Sequence, residues 1–518
     1  MYCQLDTLRR CYPSSIRKTL NELPTTLDET YDRTLNEIPK EQRQHAHRLF
    51  QCLVAAIRPL RVEELAEIFA IRFDQDGAYD LMEGWRPEHP EEAILSACTT
   101  LITVVDNKGS KVVQFSHFSV KEFLISERLR TFEVRNIRDF HIHLVAAHTI
   151  LAQACLTVLL QLDEKMDKKR VATYVLALYA AQHWLDHAKY GDVASQVQVA
   201  MEQLFNPSGP YLAAWIWIHD VDGGPVRGSI DALSDLPSPP KVTALYYATS
   251  YGLSRLMEYL ISTHGEDVNA KCGVYGSPLH AASRNGHLDA VSLLLDHGAN
   301  LNITDNRKRT ALCAAYNGGH LEVMQLLLNR GAAADVRYDR FLLLTHDASF
   351  RGRVDAIRLL LQHNVDVNAT SFDNCTPLHE AAEYGQANVA QVLLEHGADI
   401  NALCDFGTPL GRASSRGHLE VARILLEHGA DVHIRNPSGQ TPFQVATRRG
   451  RVQIAQLLLQ YCNACTRTGL GTPVFDLHRH VRHGPARPTG PTPQGSARAL
   501  LSSLLFFLFH HLFVLMDK

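Results

Sequence analysis

The chain has 518 residues, enough for several domains, and its composition is that of an ordinary globular protein. Its 51 Lys and Arg against 55 Asp and Glu give a net charge of −4, which argues against a protein built mainly to hold nucleic acid. The 11 cysteines are odd in number and scattered, and the first residues lack the basic start and apolar run of a signal peptide. We therefore expect reduced thiols and an intracellular protein, in the cytoplasm or the nucleus.

The first segment, residues 1–40, has the leucine spacing of amphipathic helix, interrupted by Pro13 and Pro24. No domain start precedes it, so we interpret residues 1–40 as the helical remnant of a larger region.

Residues 41–130 show helices followed by a β-hairpin. We predict helices over Glu41–Ile57, Val62–Phe69, Glu91–Thr100 and Ser119–Leu129, and strands over 101–105 and 111–115 joined by a turn at 106–109. This order is that of a winged helix. Its candidate DNA-contacting helix, Val62–Phe69, carries Glu63, Glu64 and Glu67, which would repel phosphate. We therefore favour an internal packing module and expect direct nucleic-acid binding to be absent.

Two segments lead to the second half of the chain. Residues 131–205 are rich in Ala and Leu and are predicted to be helical. Residues 206–240 are rich in Pro and Gly and are predicted to be a loop-rich linker, with Trp215 and Trp217 packed against a neighbour.

A repeat of about 33 residues occupies 241–465. A Thr-like anchor recurs seven times at spacings of 34, 33, 33, 33, 32 and 33, at Thr243, Ser277, Thr310, Leu343, Thr376, Thr408 and Thr441. An alanine stands five residues after every anchor and a glycine nine after, and an aliphatic triplet begins sixteen after six of the seven anchors. Thr-Pro suits a helix start, glycine a left-handed helix end, and the triplet the apolar face of a second helix.

The repeat resembles a known family. Ser277–Ala282 reads SPLHAA and Thr376–Ala381 reads TPLHEA, which are similar to the ankyrin signature at the ankyrin period. The predicted fold class is therefore mostly α, an ankyrin solenoid of seven repeats preceded by a winged helix and a helical region. Repeat four departs from the signature with Leu343-Leu344-Thr345-His346, but Ala348 and Gly352 predict that it keeps the fold.

The first half resembles fungal NACHT–ankyrin proteins just after their nucleotide-binding domain, on residues 23–31, 58–66 and 115–124. The resemblance implies that these segments form the winged helix that follows an NTPase, and that the relatives act as intracellular sensors or scaffolds. No G-x-x-x-x-G-K-[ST] occurs in the sequence, so nothing is present to cradle and reach nucleotide phosphates. The resemblance thus covers the C-terminal, non-catalytic part of such a receptor.

Two patterns that imitate metal sites are assigned no chemistry. His379–Glu383 approaches the zinc-protease helix motif but ends in Glu where the second His must stand. Cys462 and Cys465 form a CxxC with no second pair after it. We predict no enzyme activity, no catalytic residue, no cofactor, no metal and no small-molecule substrate.

The predicted partner-binding surface consists of aromatic and charged side chains, because aromatics and Arg are common hot spots. The resemblance to ankyrin arrays implies loop tips and the inner helix face. The loop-tip candidates are Tyr275, Arg307, Lys308, Tyr338, Phe372 and Phe406, and the inner-face candidates are Tyr316, Phe350, Arg351, Tyr384, Arg416, Arg448 and Arg449.

The repeat stops at Cys465. Residues 466–499 are predicted to be a disordered, mildly basic tail. Leu500–Met516, within the hydrophobic segment 500–518, is almost continuously apolar but has only 17 residues and contains His510 and His511. A tail anchor, a helix folded onto the protein and a non-native stretch all remain open for it.

The sequence thus predicts a non-enzymatic scaffold or adaptor that binds a protein through its ankyrin repeats. One alternative is an ankyrin transcriptional co-regulator in the nucleus, which the winged helix and basic tail allow. Another is a NACHT-type signalling ATPase whose catalytic part is absent.

Overall fold

The computed structural model describes residues 27–73, 79–97, 100–107, 109–130, 135–162, 167–219, 242–336 and 343–467. The protein is mostly helical: an ankyrin-repeat solenoid is preceded by a winged-helix domain and a helical region. Residues 1–26, most of the predicted linker and the whole tail after 467, including Leu500–Met516, lie outside the described ranges. Among the helices that are described, none has both the length and the apolarity to cross a bilayer.

The winged-helix part follows the predicted order, with shorter helices than predicted. Its helices are Leu27–Glu37, Arg43–Ala55, Val62–Phe69, Pro90–Ala97, Phe118–Leu124, Glu127–Arg130 and Arg135–Arg138, with 3-10 turns at Lys40–Gln42 and Glu83–Trp85. The predicted helix over Ser119–Leu129 is in fact two helices. Ser126 interrupts it, because its hydroxyl accepts a 3.4 Å hydrogen bond from the Leu129 amide and starts the second helix.

A three-stranded sheet forms the wing. It consists of β1 (Leu60–Arg61), β4 (Ile102–Asn107) and β5 (Ser110–Phe115), in the order β1-β5-β4 with antiparallel pairing. Pairing continues to Asn107 opposite Ser110, so the turn is tighter than the predicted 106–109. Gly109 has φ +86°, a left-handed conformation that favours glycine. A second hairpin, β2 (Ile71–Phe73) with β3 (Tyr79–Leu81), was not predicted.

The helix Val62–Phe69 is mostly buried, as expected for an internal packing module rather than for a helix that contacts DNA. Only Glu63 is exposed among its three glutamates. Arg58 binds both carboxylate oxygens of Glu64, at 2.7 and 2.8 Å. Burial alone would raise the pKa of Glu64, but the hydrogen bond from Arg58 helps to lower it. Glu67 pairs with Arg86 at 2.5 Å and accepts the Leu176 amide at 2.6 Å, which attaches this helix to the following helical region.

The helical region comprises Leu144–Leu159, Lys168–Val171, Ala177–Ala188, Val193–Gln196, Gln198–Leu204 and Tyr211–Ile218. The last of these lies inside the predicted linker, so the linker prediction is wrong for Tyr211–Ile218. Trp215 is fully buried, packs against Trp184 and Tyr247, and donates its indole N–H to Ala181 O at 2.9 Å. The prediction that Trp215 packs against a neighbour is confirmed.

The second half forms seven repeats of two helices each, which we call the inner and the outer helix in chain order. The inner helices are Ala244–Tyr251, Pro278–Asn285, Ala311–Gly318, Leu344–Arg351, Pro377–Tyr384, Pro409–Arg416 and Pro442–Arg448. The outer helices are Ser254–His264, Leu288–Asp296, Leu321–Asn329, Val354–Gln362, Ala387–Glu395, Leu419–Glu427 and Val452–Arg467.

Every predicted anchor stands immediately before its inner helix, at the N-cap. The hydroxyls of Thr243, Ser277, Thr408 and Thr441 accept the amide three residues on. All seven alanines of the repeat are fully buried. Repeat four has a regular inner helix, so the prediction that it folds is confirmed. Its glycine, Gly352, ends that helix at φ +72°, in the left-handed region.

Candidate protein-binding surface

The histidines of the repeats bond neighbouring repeats together. The Nε2 of His280, in repeat two, lies 2.9 Å from Arg309 O, directly before the anchor of repeat three. His379 makes the matching contact with Gly407 O at 3.0 Å. In the opposite direction, His287 contacts Ser250 O and His418 contacts Glu383 O, both at 3.0 Å. These side chains are occupied by the framework and are not available to a partner.

The zinc-like pattern is explained by the same framework. The Nδ1 of His379 lies 2.9 Å from Thr376 Oγ1, and Glu383 pairs with arginines. Within the described ranges, no three His, Cys, Asp or Glu side chains are placed to hold a metal ion together. Cys462 lies in the outer helix of repeat seven.

Tyr316 was predicted to contact a partner, but this prediction is wrong because Tyr316 is a core residue. It is fully buried, and its hydroxyl donates a 2.7 Å hydrogen bond to Asp347 Oδ2. Arg351, the predicted contact next to it, donates from Nε to the same oxygen at 2.8 Å. Burial nevertheless raises the pKa of Asp347. The guanidinium of Arg353 covers the Tyr316 ring at 4.3 Å and leaves no face of Tyr316 for a partner.

A second buried acid organises repeats five and six. Glu383 pairs with Arg412 at 3.1 Å and with Arg416, both from the inner helix of repeat six. The guanidinium of Arg412 in turn lies 4.5 Å from the centroid of the Phe406 ring. This cation–π contact holds the ring of a loop-tip residue against the inner helix. Arg416 remains exposed while it is paired.

The loop tips of repeats four and five are joined directly. Asn374 donates from Nδ2 to Asp405 Oδ1 at 3.2 Å, and the Asp405 amide donates to Asp373 O at 3.3 Å. Phe372 and Phe406 flank these bonded residues and are 58% and 39% exposed. Two large aromatic side chains are therefore exposed on neighbouring loops that are joined by hydrogen bonds.

Of the other four residues predicted at loop tips, the structure describes three. Tyr275 is 36% exposed, and its backbone amide donates to the Tyr246 hydroxyl at 3.1 Å, which fixes the first loop. Arg307 and Lys308 are exposed on the second loop. Tyr338 lies outside the described residues. Its assignment stays a prediction.

The remaining inner-face predictions fall near the carboxyl ends of the inner helices. Phe350 and Tyr384 are half-buried, with ring centroids 4.2 Å apart at an interplanar angle of 85°. Arg448 and Arg449 are exposed, and no ion pair joins either to another described residue. The described part of the surface thus combines an aromatic pair with exposed guanidinium groups.

Sequence reasoning missed three residues of this surface. Val274 is 61% and Leu403 57% exposed, both on loop tips, and Arg412 anchors Phe406. Apolar residues inside loops bounded by glycine were the available signal for the first two. Nothing local marks Arg412, because its role depends on Glu383, 29 residues earlier.

Known proteins support the division of the chain into repeats and winged helix. Residues 245–339 and 343–404 match a family profile described as ankyrin repeats (3 copies), and residues 393–446 match one described as ankyrin repeats (many copies). Residues 438–468 match a single ankyrin repeat. Residues 31–135 match the winged helix domain of GPI inositol-deacylase.

One curated relative is the azaphilone pigments biosynthesis cluster protein L of Monascus ruber, 31% identical over 295 residues. The alignment takes in 54% of this chain, and the chain spans 60% of the length of that relative. Similar solved structures include the human ASB11 ankyrin repeat domain, at 28% identity over 42% of this chain and 96% of that one, with a TM-score of 0.37. The ankyrin repeat domain of Bcl-3, described as a unique member of the IkappaB protein family, is 27% identical over 43% of this chain and 99% of that one, with a TM-score of 0.39.

The fold and the family profiles define two parts of this chain: an array of ankyrin repeats, and before it a winged helix of the GPI inositol-deacylase type. Ankyrin repeats are a protein–protein interaction module, so the array provides this chain with a surface for binding protein.

Proposed function

We propose that this protein is a non-enzymatic scaffold or adaptor, and that its partner contacts the loop tips and inner helices of the ankyrin array. The observation that carries the proposal is the pair Phe372 and Phe406, exposed on loops that Asn374 and Asp405 tie together. Exposed aromatic side chains on a rigid support are typical of binding hot spots.

The winged helix fits a supporting role in this proposal. Glu67 accepts the Leu176 amide and Arg61 donates to Val175 O, so the winged helix is attached to the helical region, and Trp215 attaches that region to the first repeat through Tyr247. This arrangement supports an internal packing module rather than a DNA reader. From the resemblance to fungal NACHT–ankyrin proteins, we propose only that this protein acts as a sensor or scaffold.

The test is capture of partners from cells that express the protein naturally. The full chain, the F372A/F406A variant and an L288A/L321A control are each tagged and purified, and bound proteins are quantified. Leu288 and Leu321 are similarly exposed, at 38% and 39%, but lie on outer helices. If each aromatic contributes roughly 2 kcal/mol as hot spots do, partner capture by F372A/F406A falls more than tenfold. Unchanged capture, with the control equally active, would contradict the proposal. Specific binding of Mg-ATP by the full chain would contradict its non-enzymatic part.

A further inference from the structure

Repeats five to seven have a surplus of positive charge on one side. We define their basic face as the inner helices Pro377–Tyr384, Pro409–Arg416 and Pro442–Arg448 together with Arg449. These residues include four arginines and two glutamates, namely Arg412, Arg416, Arg448, Arg449, Glu380 and Glu383.

The two glutamates cancel little of that charge. Glu383 is buried beneath Arg412 and Arg416 and faces the protein. Burial raises the pKa of Glu380 to about 8, which keeps its carboxyl group largely protonated at neutral pH. Four positive charges therefore stand against at most two negative charges, a net charge of at least +2.

The outer helices of repeats five and six have the opposite sign. Ala387–Glu395 and Leu419–Glu427 carry Glu395, Glu420 and Glu427 against a single Arg423. At the loop tips, Asp373 and Asp405 accept hydrogen bonds from Ser371 and Asn374. Such a segregation of charge steers an acidic ligand to the inner side and away from the outer side.

Aromatic side chains border the arginines. Tyr384 packs on Phe350 beside the basic face, and Phe406 lies against Arg412. We propose that the basic face binds an extended acidic peptide segment of a partner protein, with an apolar side chain of that segment seated on these rings. This inference deepens the proposed function and rests on it.

A nucleic acid fits this face less well. Affinity for a phosphate backbone depends on the number of phosphates that cationic side chains neutralise, and the face offers only four arginines, two of which already hold Glu383. The acidic outer helices would also repel a long polyanion. A short acidic peptide needs only the few cations that are present.

The test is selection of displayed random 12-residue peptides on the full-length protein, followed by affinity measurements with the enriched peptides. We expect the enriched peptides to be acidic on average. In R448E/R449E, which breaks no ion pair among the described residues, affinity should fall at least tenfold, and in R448Q/R449Q by an intermediate factor. The matched control R255E/R358E makes the same charge change on exposed outer-helix positions and should lose less than twofold.

Three results would overturn the inference: no enrichment of acidic peptides, acidic peptides whose affinity survives R448E/R449E, or tighter binding of a twelve-residue oligothymidylate than of any peptide. Failure here is distinct from failure of the proposed function. If neutral peptides bind the full chain and their binding is lost in F372A/F406A, the acidic-partner inference is wrong but the interaction surface is still supported. If partner capture is unchanged in F372A/F406A, the proposed function itself is wrong.

Discussion

The hydroxyl of Tyr316 lies 2.7 Å from Asp347 Oδ2 and donates its hydrogen across the boundary between repeats three and four. Arg351 donates to the same oxygen, so the buried carboxylate holds one side chain from each repeat. Repeat four has no Thr or Ser at its anchor, and this contact is one of the polar bonds that fix its inner helix.

Tyr316→Phe should destabilise the protein by about 1–3 kcal/mol, because it leaves a buried carboxylate with one donor fewer. Urea unfolding of the full chain measures the change. Tyr275→Phe, at an exposed position, is the control and should cost less than about 0.5 kcal/mol. Equal stability of the two variants would show that the Tyr316–Asp347 bond contributes nothing.

Leu343→Thr should stabilise repeat four by about 1 kcal/mol. In repeats two and five the anchor hydroxyl lies 2.7 and 2.9 Å from the Nδ1 of the histidine three residues on. In repeat four that atom, His346 Nδ1, is buried with no partner among the described residues. Thr376→Leu makes the reverse change and should lower stability. Thermal melting of both variants measures the effect, and a lower melting temperature for Leu343→Thr would refute the expectation.

Acid should destabilise the helical region through His187. Its pKa is lowered to about 3, first by burial and then by His148 and His183, and its Nε2 lies 2.9 Å from the Tyr179 hydroxyl. As the pH falls through about 6.5, the unfolded chain binds a proton at His187, whereas the folded chain does not bind it until about pH 3. The contribution of His187 to the stability of the folded chain is therefore full above pH 6.5 and is lost as the pH drops toward 3. The slope for one such proton is about 1.4 kcal/mol per pH unit.

His187→Gln should flatten the decline between pH 6 and 4, as measured by urea unfolding at a series of pH values. His297→Gln, on the exposed start of a loop, should leave it unchanged. An identical decline in the two variants would assign the acid sensitivity to other groups.

Glu380 should make the folded protein less stable as the pH rises, which is opposite to the effect of His187. Because burial raises its folded pKa to about 8, the folded chain keeps a proton that the unfolded chain releases near pH 4.5. Stability therefore falls as the pH rises from 4.5 to 8, with Arg412, Asp373, Glu383, Tyr384 and Cys404 as the surrounding titratable groups. Glu380→Gln should remove this loss and raise stability at pH 8. Glu395→Gln, on an outer helix, is the control, and equal behaviour of the two would disprove the assignment.

The repeat array could be predicted to the residue because each period carries its own start and end signals. All seven anchors stand at N-cap positions, and glycines end six of the seven inner helices, since both positions are set by local backbone chemistry. The surface could be predicted only in part. Tyr316 stands six residues after its anchor and Phe350 seven, and one residue turns a helix by about 100°. That rotation points Tyr316 into repeat four, while Phe350 stays half-exposed.

Other features could not be predicted from the sequence, for separate reasons. Val62–Phe69 is held by Arg58, Arg86 and the amide of Leu176, which no helix pattern reveals. The hairpin β2–β3 has strands of three residues, too short for a periodicity signal. Tyr211–Ile218 is apolar on all sides and therefore shows no amphipathic helix pattern. The Pro and Gly residues that flank it favoured the prediction of a loop.

The most direct test of the central claim places a photo-crosslinking benzoylphenylalanine at position 372 in the full chain, and at position 321 in a second version. Both native side chains are exposed, the first on a loop tip and the second on an outer helix. The account predicts that irradiation in the native cells joins a partner protein to position 372 and leaves position 321 without that product. The same product at both positions, or at position 321 alone, would contradict the assignment of the loop tips and inner helices as the working surface.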